Sequence, residues 1–173
     1  MRHLFLWKKA PRTVELDRSY SEQNLKYDIA QVRALRAFAY FYMVRIWGDV
    51  PLVTYSYDNG TFPSMPRTDA QTVLSYAKAE LLTAIEDLPY QYGTQTNLYY
   101  GSYGAQWQGK LFNKLSAYSV LAHICAWQGN YAEAETYSAF IIDHASEINA
   151  KYTSIADLIQ KQGCFTRMRS VKG

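Results

Sequence analysis

Two cysteines in 173 residues, Cys125 and Cys164, are too few for a disulfide framework, and neither sits in a Cys-x-x-Cys pair. Three histidines, His3, His123 and His144, show no metal-ligand spacing, so no metal and no other cofactor is expected. Long apolar runs are missing too. The longest, residues 37–44, falls well short of the roughly twenty residues needed to span a bilayer. Residues 4–7 form the only apolar stretch near the start, short for a signal-peptide core, and no lipobox is visible in the sequence as written. Proline and glycine are sparse, at five and nine residues. With 49% hydrophobic and 19% charged residues the chain can bury a core, which excludes a disordered tail.

The formal charge of +3 is unevenly distributed. Arg2, Lys8, Lys9 and Arg12 at one end and Lys161, Arg167, Arg169 and Lys172 at the other account for eight of the eighteen basic residues, with no acid among them. Residues 13–160 are therefore net acidic, and no nucleic-acid partner is expected. What the chain has in surplus is aromatic: sixteen Tyr, seven Phe and four Trp. Such side chains can pack, stack and hydrogen-bond at once.

Periodicity places the first helix at about residues 25–47. Ile29, Val32, Leu35, Phe38, Phe41 or Tyr42, and Ile46 recur every three or four positions and are expected to form its buried face. Gly48 and Pro51 end it, and a turn-rich loop follows to residue 67. Thr68 with Gln71 reads as a capping box opening a second helix to residue 88. Its expected stripe is Val73, Leu74, Ala77, Leu81, Ala84, Ile85 and Leu88, with Glu80, Glu86 and Asp87 outside it. After Pro89, residues 90–109 form an aromatic loop. A third helix is expected at 110–128, with Leu111, Leu115, Tyr118, Leu121, Ala122 and Cys125 inward. A fourth starts behind Asn130 and buries Ala134, Tyr137, Ser138, Ile141 and Ile142. A short fifth at 154–160 completes an all-α reading without strands.

Gly129, Tyr131 and Ala134 match the turn of a tetratricopeptide (TPR) repeat. The glycine supplies a positive φ for a very tight helix–helix turn, and the small Ala134 lets two helix axes approach. By itself this permits an independent helical adaptor whose groove binds a peptide or partner protein.

Taken with the stretch from Gln31 to Tyr42, containing Arg33 and Arg36, and with Gly48, Asp49 and Pro51, the sequence resembles the SusD/RagB family of Bacteroidetes surface lipoproteins. Pro66-Arg67-Thr68, Gly109-Lys110 and the turn at Gly129 follow in that family's order. The resemblance implies an α–α superhelix of TPR-like hairpins over residues 25–160, between an N-terminal segment 1–24 and a basic tail 161–173 where the family pattern is lost. It also implies a non-catalytic protein of the outer membrane that captures an oligosaccharide or other nutrient and delivers it to a TonB-dependent, SusC-like transporter. Gln31 departs from the family's usual Glu, so an acid that could pair with the helix arginines is expected to be missing.

Candidate ligand contacts are Tyr92, Tyr99, Tyr100, Tyr103 and Trp107 in the aromatic loop, because pyranose C–H faces stack on such rings. The alternative reading buries these rings against the helices or a partner chain. Arg33, Arg36 and Arg45 are expected to edge the first helix with solvated heads. No catalytic residue is assigned. Residues 104–111 approximate a P-loop but end in Leu111 instead of Ser or Thr, and adjacent Glu86 and Asp87 point in different directions on a helix.

Overall fold

A computed structural model describes residues 21–54, 63–94, 98–100 and 109–148. The basic ends, the fifth helix expected at 154–160, Tyr103, Trp107 and Cys164 lie outside these residues. The described chain consists of α1 (Glu22–Trp47), α2 (Ala70–Asp87), α3 (Lys114–Trp127), α4 (Tyr131–Asp143) and a 3-10 turn, Ala145–Ile148. Each helix packs mainly on the next in chain order, as in a helical-repeat superhelix. An isolated β bridge joins Val50 and Thr68.

The face that α1 buries differs from the expected one. Ala30, Ala34 and Ala37 are at most 1% exposed, and Tyr27, Tyr40, Phe41 and Val44 join them. Of the expected stripe, Phe41 is buried, Ile29, Val32 and Phe38 are half-buried, and Leu35 and Ile46 are about 60% exposed (59% and 63%). Small residues repeat at the same three-to-four spacing as the large ones. They win the interface because α1 and α2 approach too closely for larger side chains between their axes. On α2 the expected stripe is buried throughout.

Glu80, expected outside that stripe, is buried and accepts from Arg33 and Arg36, two of the three arginines of α1. Arg33 Nη1 lies 3.2 Å from Glu80 Oε1, and Arg36 Nη2 pairs with Oε2. The expected solvation of these two heads is therefore replaced by a three-residue ion cluster, with the Arg36 guanidinium also 5.7 Å from the Tyr76 ring centre. Glu80 supplies from α2 the acid that Gln31 does not supply from α1. Arg45 keeps an exposed position, with its guanidinium 5.4–5.5 Å from the rings of Phe41, Tyr42 and Trp127.

Helix ends are set by local chemistry. Gly48 takes φ 69° and returns its N–H to Val44 O at 2.9 Å. Asp49 then accepts from Ala70 N at 2.9 Å and so serves the N-terminus of α2 from 21 residues upstream. The N-cap of α2 is Asp69, accepting from Thr72 N at 3.0 Å, one residue beyond the expected Thr68. Thr68 instead donates its N–H to Val50 O at 3.0 Å, and that bridge holds it out of the helix. α3 begins at Lys114 because Asn113 and Ser116 form a capping box. Gly129 at φ 79° closes α3, with Asn130 N donating to Cys125 O at 2.8 Å in a Schellman pattern.

α4 has no fully buried residue; Ala134 and Tyr137 are half-buried, Ile142 is 59% exposed and Tyr131 is 72% exposed. Among the described residues α4 packs chiefly on α3, and its expected buried side is only partly closed. Lys78 of α2 pairs with Glu133, whose Oε2 also lies 3.3 Å from Cys125 Sγ. The salt bridge holds the Glu133 carboxyl below the usual carboxylate range. Burial, reinforced by the Glu133 carboxylate, raises the Cys125 thiol from 9.0 to about 11. A group whose pKa rises on folding contributes stability that is complete below its unfolded value and is lost as pH climbs through the folded one. Wild type is therefore expected to lose more stability between pH 9 and 11 than Cys125→Ala does, in urea titrations at each pH; equal losses would refute the assignment.

Candidate functional site

Three polar residues of α1, Asn24, Asp28 and Gln31, stand at i, i+4 and i+7 and so share one helix face. Each holds part of the aromatic loop. Gln31 Nε2 donates to Tyr92 Oη at 2.6 Å and to Phe112 O at 2.5 Å, while its Oε1 accepts from Phe112 N at 2.9 Å. Asp28 accepts the hydroxyls of Tyr99 and Tyr100, one on each carboxylate oxygen. Asn24 Oδ1 accepts from Tyr100 N at 3.4 Å. A glutamate at position 31 could accept from Tyr92 and from Phe112 N, but an ionised carboxylate could not donate to Phe112 O.

Between these anchors, Tyr27, Tyr92 and Tyr99 form a second, separate core cluster, with Leu111 against it. Tyr27 and Tyr92 meet edge to face at 5.4 Å and 80°, and Tyr92 and Tyr99 at 5.1 Å and 60°. Such pairs add to stability beyond the area they bury. Tyr27, which sequence reasoning did not single out, meets both of the other rings. Its signal was available in its place one residue before Asp28 on the face that meets the loop.

Of the five candidate ligand residues, Tyr92 and Tyr99 are 4% and 6% exposed, so their ring faces are closed. Burial also pushes the Tyr92 phenol upward, against the opposing effect of the Gln31 hydrogen bond. Tyr100 is 46% exposed and packs edge-on against its neighbour Tyr99 at 4.7 Å and 75°. Tyr103 and Trp107 lie outside the described residues.

Nearby, Tyr90, Tyr92, Leu111, Asn113 and Ile148 help line a cavity of about 220 Å³. That is below the range of about 300–1,000 Å³ usual for small-molecule sites and too small for an oligosaccharide. Tyr90 lies parallel to His144 at 5.9 Å, and His144 stacks on Phe140 at 3.9 Å, so this histidine serves packing. His123 is exposed, as are Glu86 and Asp87. No group of His, Cys, Asp or Glu among the described residues could hold a metal ion. No helix among them is long and apolar enough to cross a membrane.

No family model matches the sequence, and no curated protein matches it. Solved structures do. A SusD superfamily protein from Bacteroides thetaiotaomicron is 96% identical over 90% of this chain, with a TM-score of 0.83. A laminarin-binding SusD-like protein is 25% identical over 68% of the chain, with a TM-score of 0.56. Surface glycan-binding protein A from Bacteroides uniformis matches 82% of the chain at 24% identity and a TM-score of 0.62, a likeness of fold alone. The chain spans 34%, 23% and 29% of these three proteins. Near-identity to the first, together with the TPR-like hairpins and their ordered motifs, places this chain in the SusD/RagB family, within the helical part of that fold.

Proposed function

We propose that this chain is the helical portion of a surface protein that captures oligosaccharides without a covalent step and passes them to a SusC-like, TonB-dependent transporter in the outer membrane. The observation that carries this reading is its 25% identity to a laminarin-binding SusD-like protein. Family membership, with a near-identical relative, supports it. Of the candidate rings of the aromatic loop that are described, Tyr100 is the exposed one and the contact offered to a sugar ring. Tyr103 and Trp107 belong to the same loop and remain candidate contacts. Residues 25–160 are the unit that folds as TPR-like hairpins, with Arg33, Arg36, Gly48, Asp49, Pro51, Gly129, Tyr131 and Ala134 serving structure.

Affinity electrophoresis of the 173-residue chain in gels containing laminarin, with a xylogluco-oligosaccharide series measured by calorimetry, tests the reading. Retardation or heat from at least one glycan is expected. Tyr100→Ala is expected to weaken that binding about tenfold, the loss of one stacked ring at roughly 1.4 kcal/mol. Absence of binding to every glycan tried would overturn the proposal.

A further inference from the structure

Tyr100 combines features that structural need alone does not explain. Its φ is +50°, a backbone region that bulky L residues rarely occupy. The residue is nearly half exposed and its hydroxyl lies at the surface, so that hydroxyl could hydrogen-bond to water without loss. Yet that hydroxyl is tied to Asp28 on α1, 72 residues away in sequence, and its N–H reaches Asn24 Oδ1. Anchoring the loop does not require this second tie. Tyr99 already does it, buried against Tyr27 and Tyr92 with its own hydroxyl on the other Asp28 oxygen. What the second tie adds is orientation. It fixes both ends of an exposed ring, at the amide and at the phenol oxygen, and stands Tyr99 behind it.

We propose that Asp28 is a positioning residue for glycan capture. By accepting both phenols on one carboxylate it fixes the position of the half-exposed Tyr100, where the C–H face of a neutral pyranose can meet it. The entropy of ordering that side chain is then lost on folding and not on binding. This inference rests on the glycan-capture reading above. The ligand touches Tyr100, and Asp28 acts through it.

The test uses the 173-residue chain with laminarin and xylogluco-oligosaccharides as probes. Asp28→Asn turns one of the two acceptors into a donor and removes the charge, so one phenol must reverse its role and both lose a charge-assisted bond. Tyr100→Phe deletes only the exposed hydroxyl and keeps the stacking surface, so it does not threaten folding. Both variants are expected to speed amide exchange at Tyr99 and Tyr100 about tenfold, read by mass spectrometry, with α2 and α3 unchanged. Both are expected to weaken glycan binding about tenfold, and the double variant to be no weaker than either single one. Asp28→Glu is expected to restore part of both readouts. If the wild type binds and Tyr100→Ala loses binding while Asp28→Asn and Tyr100→Phe keep full affinity, positioning is wrong and capture stands. Independent, additive losses would likewise overturn it. If the wild type binds none of these glycans, capture fails and the positioning role fails with it, even if exchange shows that Asp28 orders Tyr100.

Discussion

Replacing Glu80 by alanine is expected to destabilise the fold by about 3–5 kcal/mol, the usual consequence of removing one partner from a buried ion cluster. The side chains of Glu80, Arg36 and Arg33 are 11%, 9% and 20% exposed, so two guanidiniums would be left in a poorly hydrated site without their carboxylate. A loss of that size is a large part of the 5–15 kcal/mol that holds a typical domain together. It would appear as a lower urea midpoint at unchanged slope. Glu86→Ala, on the same helix but exposed, should stay within about 0.5 kcal/mol. Replacing Arg33, Arg36 and Glu80 together by Met, Met and Leu should recover much of the loss, because no uncompensated charge then remains buried. If Glu80→Ala proves as mild as Glu86→Ala, the cluster does not hold α1 to α2.

Ala34→Leu on α1 is expected to cost about 3 kcal/mol, while its neighbour Leu35→Ala changes stability by less than about 0.5 kcal/mol. Hydrophobicity alone predicts the reverse ranking. Ala34 is fully buried in the main core between α1 and α2, so three added carbon atoms must push the helices apart. Leu35 is 59% exposed and leaves no cavity when shortened. Thermal unfolding of the two variants decides it, and a Leu35→Ala protein that melts earlier than Ala34→Leu would contradict the packing described.

The order of the four described α-helices, the stripe of α2, the turn at Gly129 and the inward position of Cys125 were legible in the sequence. Each depends on residues close together in the chain. The buried face of α1 was not legible, because alanines and larger apolar residues repeat with the same period and only the distance to α2 chooses between them. The Glu80 cluster escaped for a related reason. A glutamate beside an apolar stripe reads as solvated unless the opposite helix is known to bring arginines to it. The aromatic loop was identifiable as the place where tyrosines gather. Which rings face inward depended on Asn24, Asp28 and Gln31, more than sixty residues away from most of their partners.

By itself the sequence determined the all-α class, the helix-hairpin plan, the family and the candidate loop, since propensity, caps and turn glycines act over a few residues. Tertiary structure alone decided that Tyr92 and Tyr99 are core, that Tyr100 is nearly half exposed, and that Asp28 and Glu80 meet partners far away in the chain. Those assignments come from contacts between helices and loops far apart in the chain, where burial and charge are settled by which surfaces meet.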